Sequence, residues 1–293
     1  MTAFALDLFL SLDTDSALAL ELKKENVRKA VLDGTEREDK LTFGRMWNWH
    51  FYPQNEFLTR LTWTTMRRTS RPIVKKRQEQ LLGVGEGKAA GDLFETFGRV
   101  LHHVQDMNTP THVVPIYHLA DPFEEYLVAH CPSIFDGLKS DASHIVAAQG
   151  AEQDHDFCSL YAKAAEGTLD DLTDNGRLFP LPVNPELTVS SIKFWEPYKR
   201  TKGWASFREI ITYTGKGFGK YGPLGKSFGG ESCSLEGRTV PIDPLAFNRV
   251  AVFFVKRAIV YTLKALHLLS SLYADWREEE SKSRHEKRAG NPP

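Results

Sequence analysis

The residues best able to do chemistry crowd into one stretch, His102-His103-Val104-Gln105-Asp106-Met107-Asn108-Thr109-Pro110-Thr111-His112. His102 and Asp106 are four apart, a spacing that turns both side chains to one face of a helix from successive turns. An imidazole and a carboxylate so placed can grip one zinc ion. The residue before a proline resists the helical region, so the helix is predicted to stop at Asn108-Thr109-Pro110. His112 then lies just beyond, able to turn back over the same place. His118 follows in a loop, and Glu124 falls in the first turn of the next helix. Upstream, Asp39 and His50 offer two further donors. Seven nitrogen and oxygen donors with no thiolate suit zinc, and so many for one site point to more than one ion. His103, beside His102, is expected to face away and is given no role. His130, His144, His155, His267 and His285 read as ordinary hydrogen-bonded histidines.

The elements that must position these donors are helical. Leu93, Phe97, Val100, Leu101 and Val104 form an apolar stripe that predicts a core-facing helix over 91–106. Asp121-Pro122-Phe123-Glu124-Glu125 has the form of a helix start, with Asp at the cap and Pro at the first position. Ser16 is placed to cap a helix from Ala17 to Val31-Leu32, with a stop near Gly34. Residues 56–69 form another expected helix, and Asp243 to Trp276 the last. Between 132 and 242 the periodicity weakens. Residues 178–194 could be extended, and Gly215 to Gly230 is glycine-rich, with Lys216, Lys220 and Lys226 among Phe218, Tyr221 and Phe228. The expectation is therefore an all-α protein. One domain spans 1–276, carries an irregular insertion over about 132–242, and is followed by a charged, disordered tail over 277–293.

Composition narrows the partners. Lys plus Arg number 37 against 38 Asp plus Glu, so no chain-wide basic footprint for nucleic acid exists. Cys131, Cys158 and Cys233 are scattered and odd in number, which gives neither a disulfide framework nor a thiolate metal site. No apolar run approaches the roughly 18 residues of a membrane span. The N-terminal Met1-Thr2-Ala3-Phe4-Ala5-Leu6-Asp7 lacks a basic leader and reads as a core helix, not a signal peptide.

Taken in order, these residues resemble the zinc-dependent bacterial phospholipase C family, whose superfamily includes fungal single-strand nucleases with 3'-nucleotidase activity. His102, Asp106, Pro110 and His112 match the family's core motif. His50-Phe51-Tyr52-Pro53 matches its His-Phe-Tyr-Asp-Pro segment with the Asp missing. Gly34 with Asp39, and Phe123-Glu124 after His118, match flanking pieces. The resemblance covers residues 34–126 and implies an all-α, multi-helix phospholipase C/nuclease-type bundle. It implies one zinc held by Asp39, His50, His102 and Asp106, and a second held by His112, His118 and Glu124. In the family a third zinc is shared by the counterpart of Asp106 with an N-terminal Trp and a His of the first helix. This chain has neither before Trp47. Either two zincs suffice or the native protein begins further upstream. The family implies an extracytoplasmic enzyme, whereas a true start at Met1 implies a cytoplasmic one.

The implied activity is hydrolysis of a phosphodiester, with phospholipid headgroups as the leading substrate. Paired zincs ionise a bound water and neutralise the phosphoryl oxygens. The resemblance also implies that Asp39 acts as general base. Trp47 falls at an aromatic position facing the choline headgroup in the phospholipase branch, where a cation over an indole is favourable. Lys40 stands where choline-specific enzymes carry tyrosine, which points to another headgroup. The alternatives are a single-strand nuclease or 3'-nucleotidase on the same scaffold, and a metal-stabilised lipid-binding protein without turnover. Gly217-Phe218-Gly219-Lys220-Tyr221-Gly222 spells a dinucleotide fingerprint but follows no clear buried strand, so it is read as a decoy. The aromatics and lysines of the Gly215–Gly230 loop could instead contact a membrane surface. No protein partner is expected.

Overall fold

In the computed structural model, residues 1–39, 50–52, 70–83, 90–114, 116, 121–148, 154–173, 194–196, 219–235 and 237–289 are described. They are mostly helical. In chain order the helices are α1 (Thr2–Leu12), α2 (Ala17–Leu22), α3 (Glu25–Asp39), α4 (Ser70–Leu82), α5 (Ala90–Asp106), α6 (Pro110–Val113), α7 (Pro122–Ser140), α8 (Ala142–Ala147) and α9 (Phe157–Thr173). After them come strands β1 (Trp195–Glu196) and β2 (Lys220–Tyr221), helix α10 (Pro223–Lys226), strands β3 (Ser232–Leu235) and β4 (Arg238–Pro241), and helix α11 (Pro244–Ala289). The strands form two antiparallel pairs, β1 with β2 and β3 with β4. Among the described residues no helix is long and apolar enough to cross a membrane.

The core is built around α5, which packs against α3, α4, α9 and α11. Leu93, Phe97, Val100, Leu101 and Val104 are all buried, as their spacing predicts, and Phe94 joins them. From Leu101 to Asn108 every residue is buried, so the end of α5 has no solvent face at all. Its polar side chains must therefore find partners inside. Gln105 does so: its amide donates to Thr2 at 3.0 Å and to Thr262 at 3.1 Å, tying α1 and α11 to the helix. Asn108 turns its amide back to the Val104 carbonyl at 2.8 Å and accepts from Arg257 at 3.1 Å. The helix ends at Asp106 just before Pro110, as the sequence predicts.

The Ser16 cap forms, accepting from the Ala19 N–H at 3.1 Å. The single helix expected behind it does not. The chain breaks at Lys23-Lys24, and α3 then runs straight through Gly34, the expected stop, to Asp39. The reason lies in tertiary packing. Gly34 of α3 and Gly98 of α5 face one another so closely that a Cβ at Gly34 would overlap the Glu95 carbonyl, and one at Gly98 the Val31 carbonyl. Gly34 is needed for close approach and not as a terminator.

Two further expectations change. The stretch from 132 is not wholly irregular. α7 continues through Pro132 to Ser140 because Ile134 and Leu138, one turn apart, are buried against the core while Pro132 faces solvent. α8 and α9 follow. Beyond Trp276, α11 continues to Ala289 instead of becoming irregular, helped by pairs such as Lys282–Glu278 at 2.6 Å. The expected helix over 56–69 lies outside the described residues, as does the expected extended stretch over 178–194 except Phe194.

The Gly215–Gly230 segment is described from Gly219. Phe228 does not face outward. It is buried against Phe123, Tyr126 and Phe247, with ring centroids 5.2, 5.2 and 4.7 Å away. Tyr221 is half-buried in β2. Phe228 thus packs under the start of α7 and is not available for the membrane contact read from the sequence. Phe218 lies outside the described residues.

Candidate metal centre

Three segments meet at the C-terminal end of α5. The first is α5 itself, carrying His102, His103 and Asp106. The second is His50-Phe51-Tyr52, pinned in place by the Tyr52 N–H donating to the His112 carbonyl at 2.9 Å and Ser70 Oγ donating to the Phe51 carbonyl at 2.8 Å. Tyr52 also donates to Glu166 at 3.2 Å. The third is α6, started by Pro110 and carrying His112. The spacing read from the sequence thus produces convergence only because residues 50–52 are clamped against α4, α6 and α9.

His50 Nδ1, His102 Nε2 and Asp106 Oδ2 form a near-equilateral triangle, with edges of 3.0, 3.3 and 3.2 Å. Nitrogen and oxygen donors at zinc sit about 2.0–2.2 Å from the ion, which puts neighbouring tetrahedral donors roughly 3.3 Å apart. The triangle has that size. Asp106 Oδ2 makes no hydrogen bond with any described residue although both imidazole nitrogens approach it. Together with His103, these residues form a buried group whose candidate ligand atoms all lie within 4.8 Å of one another. Their three rings stand edge-on to one another, with centroids 4.8, 5.0 and 5.3 Å apart.

His103 corrects the sequence reading. It does not face away. Its side chain is wholly buried, and neither ring nitrogen has a hydrogen-bond partner among the described residues. Unsatisfied buried polar atoms cost roughly 1–3 kcal/mol each, so an imidazole with two of them would be stabilised by a ligand. Burial pushes the His103 pKa well below the ordinary histidine range, and neighbouring His50 and His102 push the same way. The ring is therefore neutral, the form that ligates metals. The only sequence signal was its place beside His102 at a helix end. That signal could not reveal that the helix end is buried on every side.

A second donor pair lies beside the first. His112 Nδ1 donates to the His50 carbonyl at 3.2 Å. This turns Nε2 toward Glu124 Oε1 at 3.3 Å and Asp106 Oδ1 at 4.0 Å. Asp106 thus offers Oδ2 to the inner triangle and Oδ1 to the outer pair. Burial raises the Asp106 pKa, but the charges of His102 and His112 outweigh it and hold the carboxyl well below its usual range. Burial lowers the His112 pKa, but Asp106 and Glu124 outweigh it and raise it to about 10. Glu124 is set by the α7 start, where Asp121 caps the helix by accepting from the Phe123 N–H at 2.9 Å. Its side chain is 43% exposed, so this pair reaches solvent.

The remaining expected residues divide. Asp39 closes α3, beside the cluster in sequence through Glu38, but nothing is described of its side chain. His118, Trp47 and Lys40 lie outside the described residues. The donor set, rich in imidazole and carboxylate, fits a hard-to-borderline divalent ion such as zinc. Compared with known protein families, curated proteins and solved structures, the chain matches none.

Proposed function

We propose that the protein is a zinc-dependent phosphodiester hydrolase of the phospholipase C type, acting on phospholipid headgroups. The observation that supports this most is the sharing of Asp106 between two donor groups, the inner His50–His102 edge and the outer His112–Glu124 pair. A single structural ion has no use for the second pair. Adjacent ions that ionise a water and neutralise a phosphoryl group do.

In this reading His50, His102 and Asp106 hold the inner ion, with Asp39 at the end of α3 as a further ligand and as the base toward the attacking water. His112 and Glu124, with His118, hold the outer one. The His50 carbonyl fixes the His112 ring so that Nε2 meets the ion. The inner group is the more buried of the two, while the half-exposed Glu124 marks the side from which substrate would enter. Trp47 and Lys40 are assigned to the headgroup.

The test is elemental analysis of the purified chain, followed by hydrolysis of phosphatidylcholine, phosphatidylethanolamine, phosphatidylinositol and single-stranded DNA. Two zincs per chain and turnover of at least one phospholipid are expected. One zinc or none, with no phosphodiester hydrolysed, sinks the reading. Turnover of DNA alone moves the protein to the nuclease branch.

A further inference from the structure

Behind the inner triangle, two wholly buried groups face each other and lack hydrogen-bond partners among the described residues: the His103 ring and Glu38 Oε2. His103 Nε2 lies 3.9 Å from Glu38 Oε2, and His103 Nδ1 lies 3.9 Å from Asp106 Oδ2 on the opposite side. The other oxygen of Glu38 is already held: Oε1 accepts from Arg77 at 2.7 Å, with the Arg99 guanidinium 3.6 Å away. Glu38 is thus fixed by cations on one side and left open on the side that meets His103.

We propose that His103 ligates the inner metal ion through Nδ1, and that Glu38 is the outer carboxylate that accepts the Nε2 hydrogen and fixes the ring. The inference rests on the metal reading of the inner cluster given above. A neutral imidazole has one N–H and one lone pair. An ion at Nδ1 leaves the hydrogen on Nε2, facing Glu38 Oε2. One tautomer then satisfies every orphaned atom of the pair. A ligating histidine backed by a carboxylate is a common support of metal sites, because it orients the ring and raises its basicity. Both contacts are 3.9 Å, so binding of the ion requires the His103 ring and the free oxygen of Glu38 to close in by a few tenths of an ångström or more.

The packing explains why Glu38 is there at all. The Gly34–Gly98 contact presses α3 onto α5, and four residues beyond Gly34 the helix delivers Glu38 to the ring. Glu38 is a positioning residue: it reaches the ion only through His103.

A double-mutant cycle on the full chain tests this, with zinc and cobalt affinities measured by chelator competition and the visible spectrum of the cobalt form recorded. Glu38→Gln is expected to weaken metal binding by about 10–100-fold. His103→Leu is expected to weaken it at least as much and to change the cobalt spectrum. On the His103→Leu background, Glu38→Gln should add nothing. Wild-type affinity in either single variant, or an equal loss from Glu38→Gln in both backgrounds, overturns the proposal. If Glu38→Gln does not fold because Arg77 loses its carboxylate, Glu38→Gln combined with Arg77→Met takes its place in the cycle, with the same outcomes deciding. His102→Ala separates the two levels of the argument. Loss of cobalt in His102→Ala with retention in His103→Leu leaves the inner site standing and removes the His103–Glu38 assignment. A wild-type chain that binds no cobalt removes both.

Discussion

The inner and outer donor groups share Asp106 yet differ in nearly everything else. His50, His102 and His103 stand in a largely buried corner, where the His103 nitrogens and Asp106 Oδ2 have no hydrogen-bond partner among the described residues. His112 and Glu124 are already paired with one another at 3.3 Å, and Glu124 reaches solvent. The buried His103 ring gains much from an ion, because its desolvation has already been incurred and no described residue bonds to either of its nitrogens. A paired, wetter group gains less. Under the function proposed above, the difference would divide the tasks: an inner ion would tie chain segments together, and an outer one would meet substrate.

The sharpest way to break this division is Asp106→Asn, which keeps the volume and removes the shared charge. Both ions should be weakened, the inner one by more than the roughly 10–100-fold typical of supporting residues. Isothermal titration checks it, and retention of two tightly held zincs would falsify the sharing.

Chelation comes next. A metal present at about 100 times its dissociation constant contributes about 2.7 kcal/mol, which corresponds to a fall in Tm of roughly 5–10 °C on removal. Most of that fall should survive in His112→Ala and disappear in His102→Ala. Calorimetry showing the reverse pattern would exchange the roles of the two halves.

Gly34→Ala probes the helix contact instead of the donors. Wedging a methyl group into the α3–α5 contact should destabilise the protein by about 1–3 kcal/mol and weaken the inner ion with it, since α3 carries Glu38 and Asp39. Denaturant unfolding and metal affinity measured on the same sample should move together. A change in stability alone would detach the helix packing from the site.

The smallest structural effect is expected from Glu124→Gln. Stability should stay within about 0.5 kcal/mol of wild type, as for other solvent-reaching positions. Zinc stoichiometry and phospholipid hydrolysis should both fall. Full activity in this variant would take the outer pair out of the reaction.

Part of this arrangement was legible in the chain. The 102/106 spacing, the proline that stops α5, the Asp121 cap and the buried stripe from Leu93 to Val104 are local properties, set within one or two helical turns. Gly34 shows where local reading fails. A glycine after an apolar run looks like a helix end, and only the facing backbone of α5 shows that its missing side chain makes room for another helix. Phe228 fails in the same way: in a glycine-rich run with lysines it looks exposed, but Phe123 and Phe247 bury it.

The chain alone sets which donors exist, their order, and which of them share a helix face. Those facts follow from the fixed geometry of one helix and need no partner. It takes the packed fold to bring His50 to His102 from 52 residues away, to turn His103 inward beside it, and to stand Glu38 behind His103 with Arg77. Helical periodicity says which residues share a side. It does not say how many sides of a helix end will be covered. At the end of α5 all of them are, so two consecutive histidines can both point into the protein.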